Sequence, residues 1–102
     1  MKPAQEVLRA VVRQIEKGEM TKAYRSLQAL HNAARDEGDG NVEGAALHLM
    51  GVVAHEQGRP DEAIALLEKS LERRRAVGDR PGEGASYHQL GIVFHDQGWY
   101  EK

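Results

Sequence analysis

Two stretches of this chain, forty residues apart, read almost alike: GAALHLMGVVAHEQG at residues 44–58 and GASYHQLGIVFHDQG at residues 84–98. Laying residues 41–58 over 81–98 gives nine identities in eighteen positions: Glu43/Glu83, Gly44/Gly84, Ala45/Ala85, His48/His88, Gly51/Gly91, Val53/Val93, His55/His95, Gln57/Gln97 and Gly58/Gly98. The same offset carries Gly18 to Gly58, Ala23 to Ala63, Leu27 to Leu67, Arg35 to Arg75 and the pair Gly38-Asp39 to Gly78-Asp79. A fixed period of this size marks an array of one supersecondary unit, in which each copy buries its apolar face against the next. We therefore expect a single domain over residues 1–102, with repeats at about 1–40 and 41–80 and a partial one at 81–102, cut from a longer repeat array.

Within each unit the apolar residues fall at helical spacing, as in Leu47, Met50 and Ala54 and then Ile64, Leu67 and Leu71, with breaks at Gly58-Arg59-Pro60 and Gly78-Asp79-Arg80-Pro81. Pro60 suits a first helical turn. Asp61 and Glu62 complement the positive end of the helix dipole, Arg73, Arg74 and Arg75 the negative end, and Gly78 can close the helix in the left-handed conformation. The pattern predicts helices over 3–16, 20–37, 41–57, 60–77 and 81–97. Gly51 and Gly91 each cost roughly 1 kcal/mol relative to Ala inside a helix, so close approach of a paired helix is expected at both, with Ala63 as the small residue facing Gly51. Leu47, Met50, Leu67, Leu71, Tyr87, Leu90 and Phe94 are expected in the core.

These residues resemble the tetratricopeptide repeat (TPR) family. Its pattern places a bulky residue, Leu, Gly, an aromatic, Gly and Ala at set offsets across a helix pair. Tyr87, Leu90, Gly91, Phe94, Gly98 and Tyr100 match those offsets in the third unit. Leu47, Met50, Gly51, Ala54, Gly58, Ala63 and Leu67 match in the second, with Ser70 where the family prefers Ala. The first keeps Gly18, Ala23 and Leu27, with Val11 at the small-residue position. The 40-residue period resembles the longer subclass of the family. The resemblance implies an all-α, right-handed solenoid of helical hairpins: two full repeats plus the first helix of a third.

It also implies where a partner would lie, since such arrays present their concave face through the first helix of each pair. In this chain that face would run through Leu8, Val12 and Ile15, then His48, Val52, His55 and Glu56, then His88, Ile92, His95 and Asp96. Apolar side chains there would anchor a peptide or partner segment, and imidazoles and carboxylates would set its register. The family's C-terminal-carboxylate clamp uses Lys and Asn where this chain has His48, His88, Val52 and Ile92, which argues against that specialised role. The expected function is a non-catalytic protein–protein interaction scaffold.

The alternative is a self-associating structural segment. The third unit has a first helix and the turn GWYEK but no second helix, so Tyr87, Leu90, Phe94, Trp99 and Tyr100 are expected to be left partly bare and to drive dimerisation. A more distant reading is metal binding by the repeated histidines. His48 and His55 stand seven residues apart, roughly 10 Å along a helix, so they do not chelate as one-turn pairs do. Pairing across repeats, His48 with His88 or His55 with His95, is the open route, and otherwise no metal or cofactor is expected. His31 reads as an ordinary surface or packing histidine.

Composition narrows the rest. With no cysteine there is no disulfide and no thiolate ligand or nucleophile. Ser26, Ser70, Ser86 and Thr21 lie in no nucleophile motif, and GDRPGEG lacks the GK[ST] of a phosphate loop, so no enzymatic activity is expected. A net charge of −2 without a basic stripe argues against nucleic acid. The N-terminus has no signal-peptide core and no run approaches membrane-spanning length, so the expected location is the cytoplasm with no membrane partner. The Asp and Glu residues read mostly as solvated faces, and Arg73 to Arg75 as dipole complement and solubility.

Overall fold

The protein is described here from a computed structural model, over residues 3–98. Five α-helices follow one another: α1 (Ala4–Glu16), α2 (Met20–Glu37), α3 (Gly40–Glu56), α4 (Pro60–Ala76) and α5 (Arg80–Asp96). Each ends at a glycine in the left-handed region, Gly18, Gly38, Gly58, Gly78 and Gly98, with φ between +73° and +80°. An L side chain would be strained there. These glycines recur every twenty residues, so the forty-residue repeat is a helix, a glycine turn, an antiparallel helix and a second glycine turn. Asp39 and Asp79 cap the helices that open the second and third units, their side chains accepting from the backbone N–H of Val42 and Gly82. Helix bounds lie within a residue of those expected from sequence.

Consecutive helices pack against one another, and α3 also touches α1 and α5, so the odd-numbered helices form one layer. The core runs through all three units: Val11, Ala23 and Leu27, then Leu47, Met50, Val53, Ala63 and Leu67, then Leu90 and Val93. Gly51 is buried because α4 crosses over it. A Cβ at this position would stand 2.7 Å from Leu67 Cγ and 3.3 Å from the carbonyl oxygen of Ala63.

Gly91 departs from expectation. It is exposed, and a Cβ there would meet nothing within 4 Å among the described residues, because no described helix occupies the place that α4 takes beside α3. Tyr87, expected in the core, is 53% exposed for the same reason, whereas its counterpart Leu47 is buried. Leu90, expected to be partly bare, is buried because it points back toward the core rather than toward the open side. One acidic residue also departs from the solvated-face reading. Glu43 is buried, with a carboxylate oxygen 3.3 Å from His31 Nε2 and 3.2 Å from Arg73 Nε, so it joins α2, α3 and α4. His31 is thereby a packing histidine.

Candidate partner-binding face

The layer of α1, α3 and α5 carries one row of aliphatic side chains at the repeat period: Val12, Val52 and Ile92. Val12 is 41% and Ile92 37% exposed, and Val52 is intermediate. One helical turn further on, at the last residue of each of these helices, stand Glu16, Glu56 and Asp96, all exposed. Residues i and i+4 share a helix face, so an apolar row runs beside an acidic one. Leu8 and Ile15 are half-buried and pack against the core.

The repeated histidines separate into two environments. His48 is drawn into the seam between the second and third units. Its Nδ1 lies 3.1 Å from Ser86 Oγ and 3.2 Å from Arg74 Nη1. The same guanidinium nitrogen donates to the carbonyl oxygen of Gly82 at 3.0 Å and to Ser86 Oγ at 3.1 Å. Ser70 completes the cluster, its hydroxyl donating to the carbonyl oxygen of Gly44 at 2.7 Å and lying 3.2 Å from Ser86 Oγ. Burial first, and then the positive charge of Arg74, push His48 down to about 4. A guanidinium only donates, so the neutral ring places an acceptor at Nδ1 and its proton at Nε2. His48 is thus a joint residue, and little of it reaches the face on which it was expected.

His55 lies at the other end of the same seam, with Nε2 2.7 Å from Asp96 Oδ2. The cross-repeat partners of the two α3 histidines are therefore Ser86 and Asp96, 38 and 41 residues along the chain, and not His88 and His95 at the expected forty. His88 and His95 are exposed on α5, with His95 Nδ1 3.8 Å from Asp96 Oδ1. Among the described residues, no group of three or more His, Cys, Asp or Glu side chains is arranged to hold a metal ion. His88, Gly91, Ile92 and His95 line a shallow depression on α5.

A second strip of α5 runs along Gly84, Tyr87, Gly91 and Phe94, and it shares Gly91 with that depression. The equivalent strip of α3, Gly44, Leu47, Gly51 and Ala54, is buried under α4. A Cβ at Gly44 would meet Arg74 Cγ at 2.9 Å, whereas one at Gly84 would meet nothing within 4 Å. The Tyr87 hydroxyl accepts from Arg75 Nη2 at 2.7 Å, which ties the ring to the end of α4, and Phe94 is half-buried against the core. Trp99 and Tyr100, named with this surface from sequence, lie outside the described residues.

Four residues escaped the sequence reading: Ser70, Arg74 and Ser86 in the seam, and Glu43 where α2, α3 and α4 meet. Ser70 gave a signal, since it stands where the family prefers Ala. Arg74 gave none, because one arginine in a run of three is indistinguishable from its neighbours until the helix is rotated into place. Arg74 is largely buried, with its side chain 12% exposed, against 47% for Arg73 and 59% for Arg75.

The tetratricopeptide repeat family model matches the chain twice, over residues 5–76 and 42–102. No curated protein and no solved structure matches it. No helix among the described residues is long and apolar enough to cross a membrane.

Proposed function

The chain belongs to the tetratricopeptide repeat family, whose repeats generally mediate protein–protein interaction, and from that premise we propose that it is a non-catalytic module that holds a partner segment against α1, α3 and α5. The observation that carries this reading is the row Val12, Val52 and Ile92, left accessible at the repeat period beside Glu16, Glu56 and Asp96. Leu8 and Ile15 would back the apolar row, and His55, His88 and His95 would border it. His48 would contribute through the seam that fixes the spacing of α3 and α5. A matching partner segment presents aliphatic or aromatic side chains with Lys or Arg beside them, since the one complements the row and the other its carboxylates.

A peptide-display selection on the purified 102-residue chain tests this. Enriched sequences should combine apolar and basic residues, and Val12→Asp with Ile92→Asp should abolish their binding while leaving helicity and melting temperature near wild type, because both side chains are exposed. Enriched peptides that bind the double variant as well as wild type would place recognition elsewhere.

One observation favours a second reading, self-association. The strip Gly84, Tyr87, Gly91 and Phe94 on α5 has the pattern of a helix-packing surface without a described helix on it.

A further inference from the structure

Helix α1 does not sit on α2 as α3 sits on α4. Val11 occupies the position of Gly51 and is fully buried, whereas at Gly51 a Cβ would stand 2.7 Å from Leu67 Cγ. The first hairpin accommodates the larger residue by packing less closely than the second. A cleft of about 520 Å³ opens along it, with Val7, Ala10 and Val11 as its apolar lining and Arg9, Arg13, Gln14 and Ser26 as its polar lining. Forty residues on, those four polar positions read Leu49, Val53, Ala54 and Leu66, the first half-buried and the others buried. The second unit makes core of this face, and the first gives it charge.

Arg9 and Arg13 are exposed one turn apart, and neither meets a carboxylate among the described residues. Like charges at that spacing repel, so the pair costs α1 stability unless an anion lies between them. Gln14 adds a second demand. Its amide oxygen is buried with no hydrogen-bond partner among the described residues, a costly state for an acceptor, and the broad terminal torsion of a glutamine lets the oxygen turn toward a donor entering the cleft. A backbone N–H is free to donate in an extended segment and already used in the interior of a helix. The spacing agrees: Arg9 and Arg13 are about 6 Å apart along α1, close to the roughly 6.6 Å between residues i and i+2 of an extended chain. Glu6, on the same face one turn before Arg9, limits the acidic stretch to two residues.

We propose that the cleft between α1 and α2 is a second docking site, which takes an extended acidic segment of a partner, with two carboxylates at i and i+2 on Arg9 and Arg13, a backbone N–H on Gln14 and a small apolar side chain against Val7, Ala10 and Val11. Its preference is opposite in charge to that proposed for the row Val12, Val52 and Ile92, and it does not depend on that reading.

Fluorescence anisotropy with a labelled Gly-Val-Glu-Val-Glu-Val-Gly peptide and the purified 102-residue chain tests this at low salt. The peptide should bind, and replacing both glutamates by glutamine should weaken binding about tenfold, as the loss of two partly solvated ion pairs requires. Moving the glutamates next to each other, or methylating the backbone nitrogen between them, should weaken it as well. Arg9→Glu with Arg13→Glu should abolish binding and retain helicity by circular dichroism, because both side chains are exposed. Lys69→Glu with Arg80→Glu makes the same change of net charge at exposed positions outside the cleft and should leave binding in place.

A wild-type chain that does not bind the peptide overturns the site. So does equal loss of binding in the two charge-reversed variants, which would mark general attraction to a positive surface. Equal affinity for the methylated peptide overturns the extended-backbone contact at Gln14. None of these results bears on the row Val12, Val52 and Ile92, whose test uses peptides of the opposite charge.

Discussion

Helices α3 and α5 are copies of one element in two settings, and the contrast between Gly51 and Gly91 separates what the sequence pattern asks for from what the surroundings supply. Around Gly51 the glycine is a steric requirement, since Leu67, itself fully buried, stands where a side chain would begin. Around Gly91 the same residue, at the same point of the same pattern, meets nothing within 4 Å among the described residues. Burial on the other face of the two helices is nevertheless alike: Met50 and Val53 are buried on α3, and Leu90 and Val93 on α5. On α3 one face is thus committed to the preceding unit and one to its own second helix. Helix α5 has the first of these filled.

Substituting the two glycines in turn should give effects of opposite sign, the largest difference expected anywhere in the molecule. Gly51→Ala forces Leu67 or the α4 backbone to move, and overpacking of this kind costs about 1–3 kcal/mol. Gly91→Ala removes the helix penalty of glycine and meets no neighbour, so the isolated chain should gain up to about 1 kcal/mol. Urea denaturation at the lowest workable concentration measures both. Equal destabilisation by the two substitutions would mean that an occupant already covers Gly91 under those conditions.

The histidines sharpen the same contrast through pH. In the unfolded chain His48 binds a proton near its ordinary value of 6.5, whereas in the folded protein burial and Arg74 hold it down to about 4. Between those values the unfolded chain binds more protons. Stability from this group is therefore complete above pH 6.5, declines as pH falls toward 4 and changes no further below that. Allowing for the partial exposure of the ring, the loss is about 2 kcal/mol. His48→Gln should flatten the wild-type dependence of stability between pH 7 and 5, and His88→Gln, at the exposed counterpart on α5, should leave it in place. A His48→Gln profile parallel to wild type would remove His48 from the seam's energetics.

The fold was legible because it is written twice. The period, the turn glycines and the helix ends are local signals, and each recurs at the next unit, so one copy checks another. The apolar row of the candidate face was legible for the same reason: Val12, Val52 and Ile92 share one register. What could not be read is where the copies differ. Ser86 stands where the preceding unit has Ala46, and through that one change His48 and Arg74 find a buried polar partner. Placing His48 with His88 assumed strict forty-residue neighbours, whereas packed helices cross at an angle and bring different offsets together at their two ends: 38 at Ser86 and 41 at Asp96. Glu43 shows the converse. Its equivalent Glu83 is the same residue, yet the two face different side chains, Glu43 meeting His31 and Arg73, and Glu83 meeting Arg75 at 3.6 Å.

The smallest expected difference between the two units lies at their caps. Asp39 Oδ1 accepts from Val42 N at 3.1 Å and Asp79 Oδ1 from Gly82 N at 2.9 Å, so each opens its helix in the same way. Removing either carboxylate should cost about 1 kcal/mol, the usual worth of such a cap. Asp79 carries a second role, because its Oδ2 stands 3.8 Å from Arg74 Nε at a largely buried guanidinium, and that nitrogen has no hydrogen-bond partner among the described residues. Asp79→Ala should therefore exceed Asp39→Ala by several tenths of a kcal/mol, and Asp79→Asn, which keeps an acceptor for Gly82 and loses the charge, should fall between wild type and Asp79→Ala. A double-mutant cycle with Arg74→Met isolates the ion pair. If the two alanine variants prove equally stable, Arg74 is held by Ser86, His48 and the Gly82 carbonyl alone, and the charge of Asp79 serves only the helix that it starts.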